Sequence, residues 1–180
     1  MADENNQVNW YDCDPRAILP LDDSFHVPRR LERTIRSGKY EVRYDTAFRR
    51  VMELCAKPAP GRETTWISDE IIESFVRLFE LGFAHSAEAW RHDELAGGLY
   101  GVAIRGLFAG ESMFHIQRDA GKVALVTLIR NLRQNGYKLF DVQYIVNDNF
   151  KQFGVEEISK AEYHRRLARA LEVEPTLWQH

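Results

Sequence analysis

Residues 107–143 read LFAGESMFHIQRDAGKVALVTLIRNLRQNGYKLFDVQ, a strand pattern, then a helix pattern, then a second strand pattern. The first strand covers 107–115 and the helix about 119–134. Gly121, Leu125, Leu128 and Leu132 recur at helical spacing and make a face suited to lie on a sheet. The second strand opens KLFDVQYIVNDNF (138–150). A strand, a crossover helix and a strand in succession predict a right-handed parallel unit, and hence a mixed α/β fold. Alternation along the second strand sends Asp141 and Gln143 to one face and Phe140, Val142 and Tyr144 to the other. A carboxylate and a carboxamide thus share one side of an otherwise apolar strand.

Upstream, FAHSAEAWR (83–91) and ELAGGLYGVAIRG (94–106) add antiparallel strands, with turns near Arg91-His92-Asp93 and at Arg105-Gly106. Earlier still come an extended RAILPL (16–21), a short helix opened by Pro28 and stopped by Gly38, and a strand in YEVRYD (40–45). Helices follow in TAFRRVMELCAK (46–57) and SDEIIESFVRLFELG (68–82), the latter capped by Ser68. VEEIS (155–159) and a charged helix, KAEYHRRLARAL (160–171), close the chain. No repeat or linker divides it, so residues 1–39 are expected to pack as an extended segment and basic helix on a catalytic domain spanning 40–180.

With 180 residues the chain can bury one substantial core, and its net charge of −3 argues against a general nucleic-acid binder. No apolar run approaches the ~20 residues that span a bilayer, and MADENNQVNWYDCD lacks a signal-peptide apolar region. Cys13 and Cys55 have no metal-ligand spacing, and the histidines show no paired pattern, so no metal is expected. A cytoplasmic location fits this cysteine usage.

Several stretches could carry chemistry. Strict alternation in 107–115 groups Phe108, Gly110 and Ser112 against Leu107, Glu111 and Met113, while Gly110 offers a place for a bulge that re-aims the residues after it. Glu111, set between a glycine and apolar side chains, needs a partner or a ligand. Arg29, Arg33 and Arg36 share one helix face, extended by Lys39. That face is either a solvated one, with Glu32 pairing Arg36, or a contact for phosphates. Arg118, Gly121 and Val123 imitate an acetyl-CoA phosphate loop imperfectly, and an ordinary helix start accounts for them better. There is no G-x-S-x-G elbow or P-loop.

Taken in order, WYDCDPRAILPL, FHVPRRLERTIRSG, TTWISDEIIESFVRLFELGFAHSAEAW, DELAGGLYGVAIRGLFAGESMF and KLFDVQYIVND closely resemble the bacterial leucyl/phenylalanyl-tRNA–protein transferases. The resemblance implies a GNAT-like α+β fold, with a mixed sheet flanked by helices in a single domain. It implies transfer of Leu, Phe or sometimes Met from charged tRNA to the N-terminus of proteins beginning with Arg or Lys, creating an N-degron; a monomer is expected. No cofactor is implied, because the aminoacyl ester is itself the acyl donor.

Position by position, Asp141 and Gln143 fall on the family's catalytic D-x-Q pair and Glu111 in its GES motif. Trp66 and Phe108 match aromatics around the charged terminal adenosine. Leu99, Met113, Leu125, Leu128 and Phe140 match the donor side-chain pocket, although Phe140 would face away from Asp141 in a regular strand. Asn147 matches a further substrate-side position, and Arg29, Arg33 and Arg36 match a basic patch for tRNA. Phe75 stands where the family pattern carries Tyr, and better-known members have an additional N-terminal segment, so either a short form or a start site further upstream is expected. An acetyl-CoA-dependent acetyltransferase, or a short form that binds without transferring, are the alternatives.

Overall fold

The computed structural model describes residues 12–58, 65–145 and 148–178. It is an α+β fold built on one seven-stranded sheet of order β2-β3-β4-β5-β6-β1-β7. The strands are β1 (Arg16–Leu19), β2 (Glu41–Tyr44), β3 (Ala84–Arg91), β4 (Glu94–Ile104), β5 (Leu107–His115), β6 (Leu139–Gln143) and β7 (Glu156–Ile158). The helices are α1 (Arg29–Arg36), α2 (Phe48–Ala56), α3 (Asp69–Glu80), α4 (Ala120–Gln134) and α5 (Lys160–Leu171). No helix among the described residues is long and apolar enough to cross a membrane.

The expected meander is present, β3, β4 and β5 pairing antiparallel in chain order, and β2 extends it by pairing antiparallel with β3. The β3–β4 turn falls on His92 and Asp93, whose φ values of 50° and 60° match the twist of a tight hairpin. The unit β5–α4–β6 closes with β5 and β6 parallel, as the alternating patterns require. The place of β1 between β6 and β7 is not legible locally, because that pairing joins residues more than a hundred positions apart.

Helix α4 lies on one face over β3 and β4, with α1 packed on it; α2 and α3 cover the other face, and α5 lies over β5 and β6. The α4 face encloses the largest core cluster, including Leu99, Phe108, Leu125, Leu128, Ile129, Leu132 and Phe140. Phe48, Met52, Ile71, Tyr100 and Phe114 form the core under α2 and α3, and Ile18, Leu107, Leu139 and Tyr163 pack beneath α5. Gly97 permits the close approach of α4, since a Cβ there would lie 2.6 Å from the Gly121 nitrogen. The first turn of α4 is therefore spent on the sheet, with Ala120 and Val123 buried, which suits an ordinary helix start and leaves no open phosphate loop there.

The strand read over 138–150 is shorter than its apolar pattern suggests. It ends at Gln143, whose φ is 65°, and Tyr144 is 41% exposed where alternation placed it with Phe140. Tyr144 N–H donates to Val142 C=O at 2.8 Å, closing a γ-turn centred on Gln143. A positive-φ γ-turn is a rare and strained conformation for a residue with a side chain.

Candidate functional site

Two irregularities meet where β5 and β6 part. In the β4–β5 ladder Tyr100 faces Ser112 and Gly101 faces Gly110, so Glu111 is the extra residue of a β-bulge. In the β1–β6 ladder Ile18 faces Asp141 while Ala17 faces Gln143, which puts a second irregularity beside Val142. Hydrogen-bonded pairing of β5 with β6 covers only Leu107–Ala109 and Leu139–Asp141. Beyond that point the side chains bridge the strands: Gln143 Nε2 donates to Glu111 Oε2 at 3.1 Å.

The β5 bulge also corrects the face assignment made from strict alternation. Met113 packs against the cluster that holds Phe108, whereas a regular strand would set them on opposite faces. Gly110, as expected, is the neighbour of the extra residue.

Asp141 is fully buried and anchored on every side. Its Oδ1 accepts from the Gln143 N–H at 2.7 Å, and its Oδ2 from Arg16 Nη2 at 2.7 Å and the Tyr163 hydroxyl at 2.9 Å. Arg16 Nε lies 3.2 and 3.1 Å from the two oxygens, and its guanidinium sits over the Tyr163 ring at 4.6 Å. Tyr163 titrates far above the ordinary phenol range, because burial and the Asp141 charge both oppose its ionisation. Sequence reasoning does not find Arg16 and Tyr163. Arg16 lies inside the DPRA stretch quoted for the resemblance, but nothing local joins it to residues 141 and 163.

Glu111 differs from Asp141. Burial pushes its carboxyl up to about 6, the Gln143 hydrogen bond partly offsetting this and the Asp141 charge adding to it. No cation pairs directly with it among the described residues. Its arrangement fixes the amide of Gln143: an ionised carboxylate can only accept, so it takes Nε2 and leaves Oε1 free to accept from something else.

The remaining expected residues fall into separate groups. Leu99, Leu125, Leu128, Phe140 and Phe108 lie together on the α4 face at 0–3% exposure, with Met113 half-buried against them. Phe140 faces away from Asp141, as alternation requires, and tilts against Phe108 with ring centroids 5.2 Å apart. Trp66 is half-buried against the core under α2 and α3, on the opposite face from Phe108. Phe75 is nearby, edge-on to Tyr100 at 5.3 Å. Asn147 lies outside the described residues.

Arg29, Arg33 and Arg36 are exposed on α1, whose Leu31 and Ile35 turn into the core. Arg36 pairs with Glu32 at 3.0 Å, the bond its spacing predicts, and Glu32 also holds Arg130 at 2.6 Å. Arg29 and Arg33 have no carboxylate partner among the described residues. Two surface grooves, of about 490 and 410 Å³, border α2–α3 and the Trp90–Asp93 turn. Neither is lined by Glu111 or Gln143.

The segment HSAEAW (85–90) proves structural. Glu88 is fully buried and accepts from the Ala47 N–H and Ser86 hydroxyl at 2.8 Å, Trp90 Nε1 at 3.0 Å, and the Thr46 hydroxyl. It thereby supplies the start of α2 with the cap its own sequence lacks. His85 Nδ1 lies 2.9 Å from Asp45 Oδ2, and the imidazole stacks on Trp178 at 4.1 Å.

The fold and site thus define an α+β protein that holds a carboxamide between one buried and one half-buried carboxylate at the parting of a parallel strand pair. Comparison with known proteins gives the chain a family. Residues 18–168 match the family model described as leucyl/phenylalanyl-tRNA protein transferase. The leucyl/phenylalanyl-tRNA–protein transferase of Herpetosiphon aurantiacus is 51% identical over 174 residues, 97% of this chain and 88% of that relative. Those of Salinibacter ruber and Synechocystis are 45% and 44% identical, with this chain covering 75% and 84% of their lengths. The chain belongs to the leucyl/phenylalanyl-tRNA–protein transferase family.

Proposed function

We propose that this protein moves Leu, Phe or sometimes Met from aminoacyl-tRNA to the α-amino group of proteins beginning with Arg or Lys. The added residue then serves as an N-degron. The observation that carries the mechanism is the Gln143 amide, held by Glu111 through Nε2 and by Asp141 through its backbone.

The reaction is ester aminolysis. The amine lone pair attacks the aminoacyl carbonyl, the bond to the ribose oxygen breaks, that oxygen takes up a proton, and the amine loses one. A free α-amino group has a pKa of ~7.7–8.0, so supplying its neutral form near pH 7 costs only about 1–1.5 kcal/mol. Orientation of two bound reactants can contribute ~7–11 kcal/mol. Positioning therefore outweighs base strength. Gln143 Oε1 accepts from the incoming amine and aims its lone pair, as a neutral amide can do without taking the proton.

Asp141 is the natural proton acceptor on sequence alone, but its oxygens are already engaged by Arg16, Tyr163 and Gln143. It acts through Gln143, as a positioning residue. Glu111 is the carboxylate that remains able to face the acceptor's cationic side chain. The donor side chain enters beside Met113, backed by Leu99, Leu125, Leu128 and Phe140, a wall that discriminates by shape. One methylene is worth only ~1–3 kcal/mol in such a pocket, so Leu, Met and Phe overlap. Trp66 serves the donor's terminal nucleotide and Asn147 the substrate side, whereas Phe108, buried on the opposite face of the sheet from Trp66, backs the donor pocket instead; Arg29, Arg33 and Arg36 meet tRNA phosphates.

Incubation with labelled Leu-tRNA and an Arg-starting peptide tests the reading. Mass spectrometry is expected to find Leu added at the peptide N-terminus. Acetylation from acetyl-CoA, or tRNA binding without transfer, would replace it.

A further inference from the structure

We propose that Arg16 and Tyr163 are positioning residues for aminoacyl transfer: together they clamp Asp141 so that its carboxylate holds Gln143 in the γ-turn that aims the amide. This rests on the proposed transfer reaction and extends it to groups that reach no substrate themselves.

Three observations support it. First, Asp141 lies at 0% exposure, and its bonds to Arg16 and Tyr163 come from β1 and α5, elements remote in sequence. A buried ion pair is weak evidence for stability, since apolar residues of similar volume usually serve a core as well. Second, the clamp leaves Oδ1 directed at the Gln143 N–H, 2.7 Å away, and that N–H belongs to the centre of the strained turn. Backbone strain at a residue with a side chain persists only where surrounding contacts over-determine it. Third, the strained residue is the one whose side chain meets Glu111 across the parted strands. The chain of contacts therefore runs Arg16 and Tyr163, then Asp141, then the Gln143 backbone, then the Gln143 amide.

Steady-state transfer of Leu to an Arg-starting peptide, with each substrate titrated separately, tests this. Tyr163→Phe deletes one hydroxyl and is expected to lower kcat ~10-fold or more while KM for both substrates stays within ~2-fold. Arg16→Lys keeps the charge, loses the two-pronged contact and gives the same split, so it carries the test if Tyr163→Phe fails to fold. In an Asp141→Asn background, Tyr163→Phe is expected to cause no further loss, because its effect passes through Asp141. A wild-type kcat in both single variants, a rise in KM alone, or multiplicative losses with Asp141→Asn would overturn the inference. A wild-type chain that transfers nothing would remove the proposed reaction, and this inference with it.

Discussion

Gln143 and Asp141, two positions apart on one strand, are tied by a 2.7 Å hydrogen bond from the backbone N–H of the first to the carboxylate of the second. That bond lies at the last residue of β6, where the Gln143 amide meets Glu111 on β5. The two residues thereby acquire different costs of removal. Asp141→Ala leaves the Arg16 guanidinium, whose side chain is only 17% exposed, with no carboxylate but the exposed Asp12 at 3.9 Å, and is expected to destabilise the fold by about 3 kcal/mol as well as abolish transfer. Gln143→Ala is expected to abolish transfer at a stability change below about 1 kcal/mol. Urea denaturation of both variants separates them, and equal losses would contradict the anchoring role.

Glu111 predicts opposite effects on stability and activity. Its carboxyl is raised to about 6 from 4.5 by burial, so the folded state binds that proton more tightly than the unfolded chain. The resulting stabilisation is complete below the unfolded value and is lost as pH rises through about 6. Ionised Glu111 then costs about 2 kcal/mol at neutral pH. Glu111→Gln is expected to stabilise the protein at pH 7.5 by up to about that amount, with little effect near pH 4.5. Transfer should fall, because the substituted amide both donates and accepts and can no longer dictate which end of the Gln143 amide faces it. Unfolding free energies measured at both pH values would show the crossover or its absence.

The arginines of α1 should not be equivalent. Binding of tRNA is expected to weaken linearly in log salt, and Arg29→Ala or Arg33→Ala to lower that slope by about 1 each. Arg36 is already engaged by Glu32, so Arg36→Ala should have a smaller effect. Filter binding across a salt series decides; equal effects from all three would mean that the Glu32 pair opens on contact.

Glu88 supports the fold. Glu88→Ala leaves buried donors on Ala47, Ser86 and Trp90 without their acceptor and is expected to cost about 3 kcal/mol. The kcat of the folded fraction should be unchanged. Denaturation combined with active-site titration checks both parts, and a lower kcat per folded molecule would give Glu88 a role in transfer.

Met113 is the half-buried member of its cluster, so Met113→Arg can turn its charge outward and keep the fold. Leu transfer should be lost while tRNA binding is retained, as measured by donor titration. Undiminished transfer would remove Met113 from the donor pocket.

The strands of the meander, the crossover helix and most helix ends are set by local pattern and punctuation. His92-Asp93 marks its hairpin, Ser68 caps α3, and Gly82 ends it with φ of 77°. The placement of β1 is not, because β pairing depends on partners far away in the chain. Alternation likewise puts Met113 opposite Phe108, since a bulge is invisible to a period of two; Gly110 marks only where one is permitted.

The candidate site divides in the same way. Glu111, Asp141 and Gln143 can be named from residue type, spacing and family resemblance. Their different characters cannot. Asp141 and Glu111 are both carboxylates on neighbouring strands, yet one is clamped by Arg16 and Tyr163 and the other is desolvated beside a neutral amide. Chemical type is written in the sequence, whereas charge state and orientation depend on partners that only long-range pairing brings within about 3 Å.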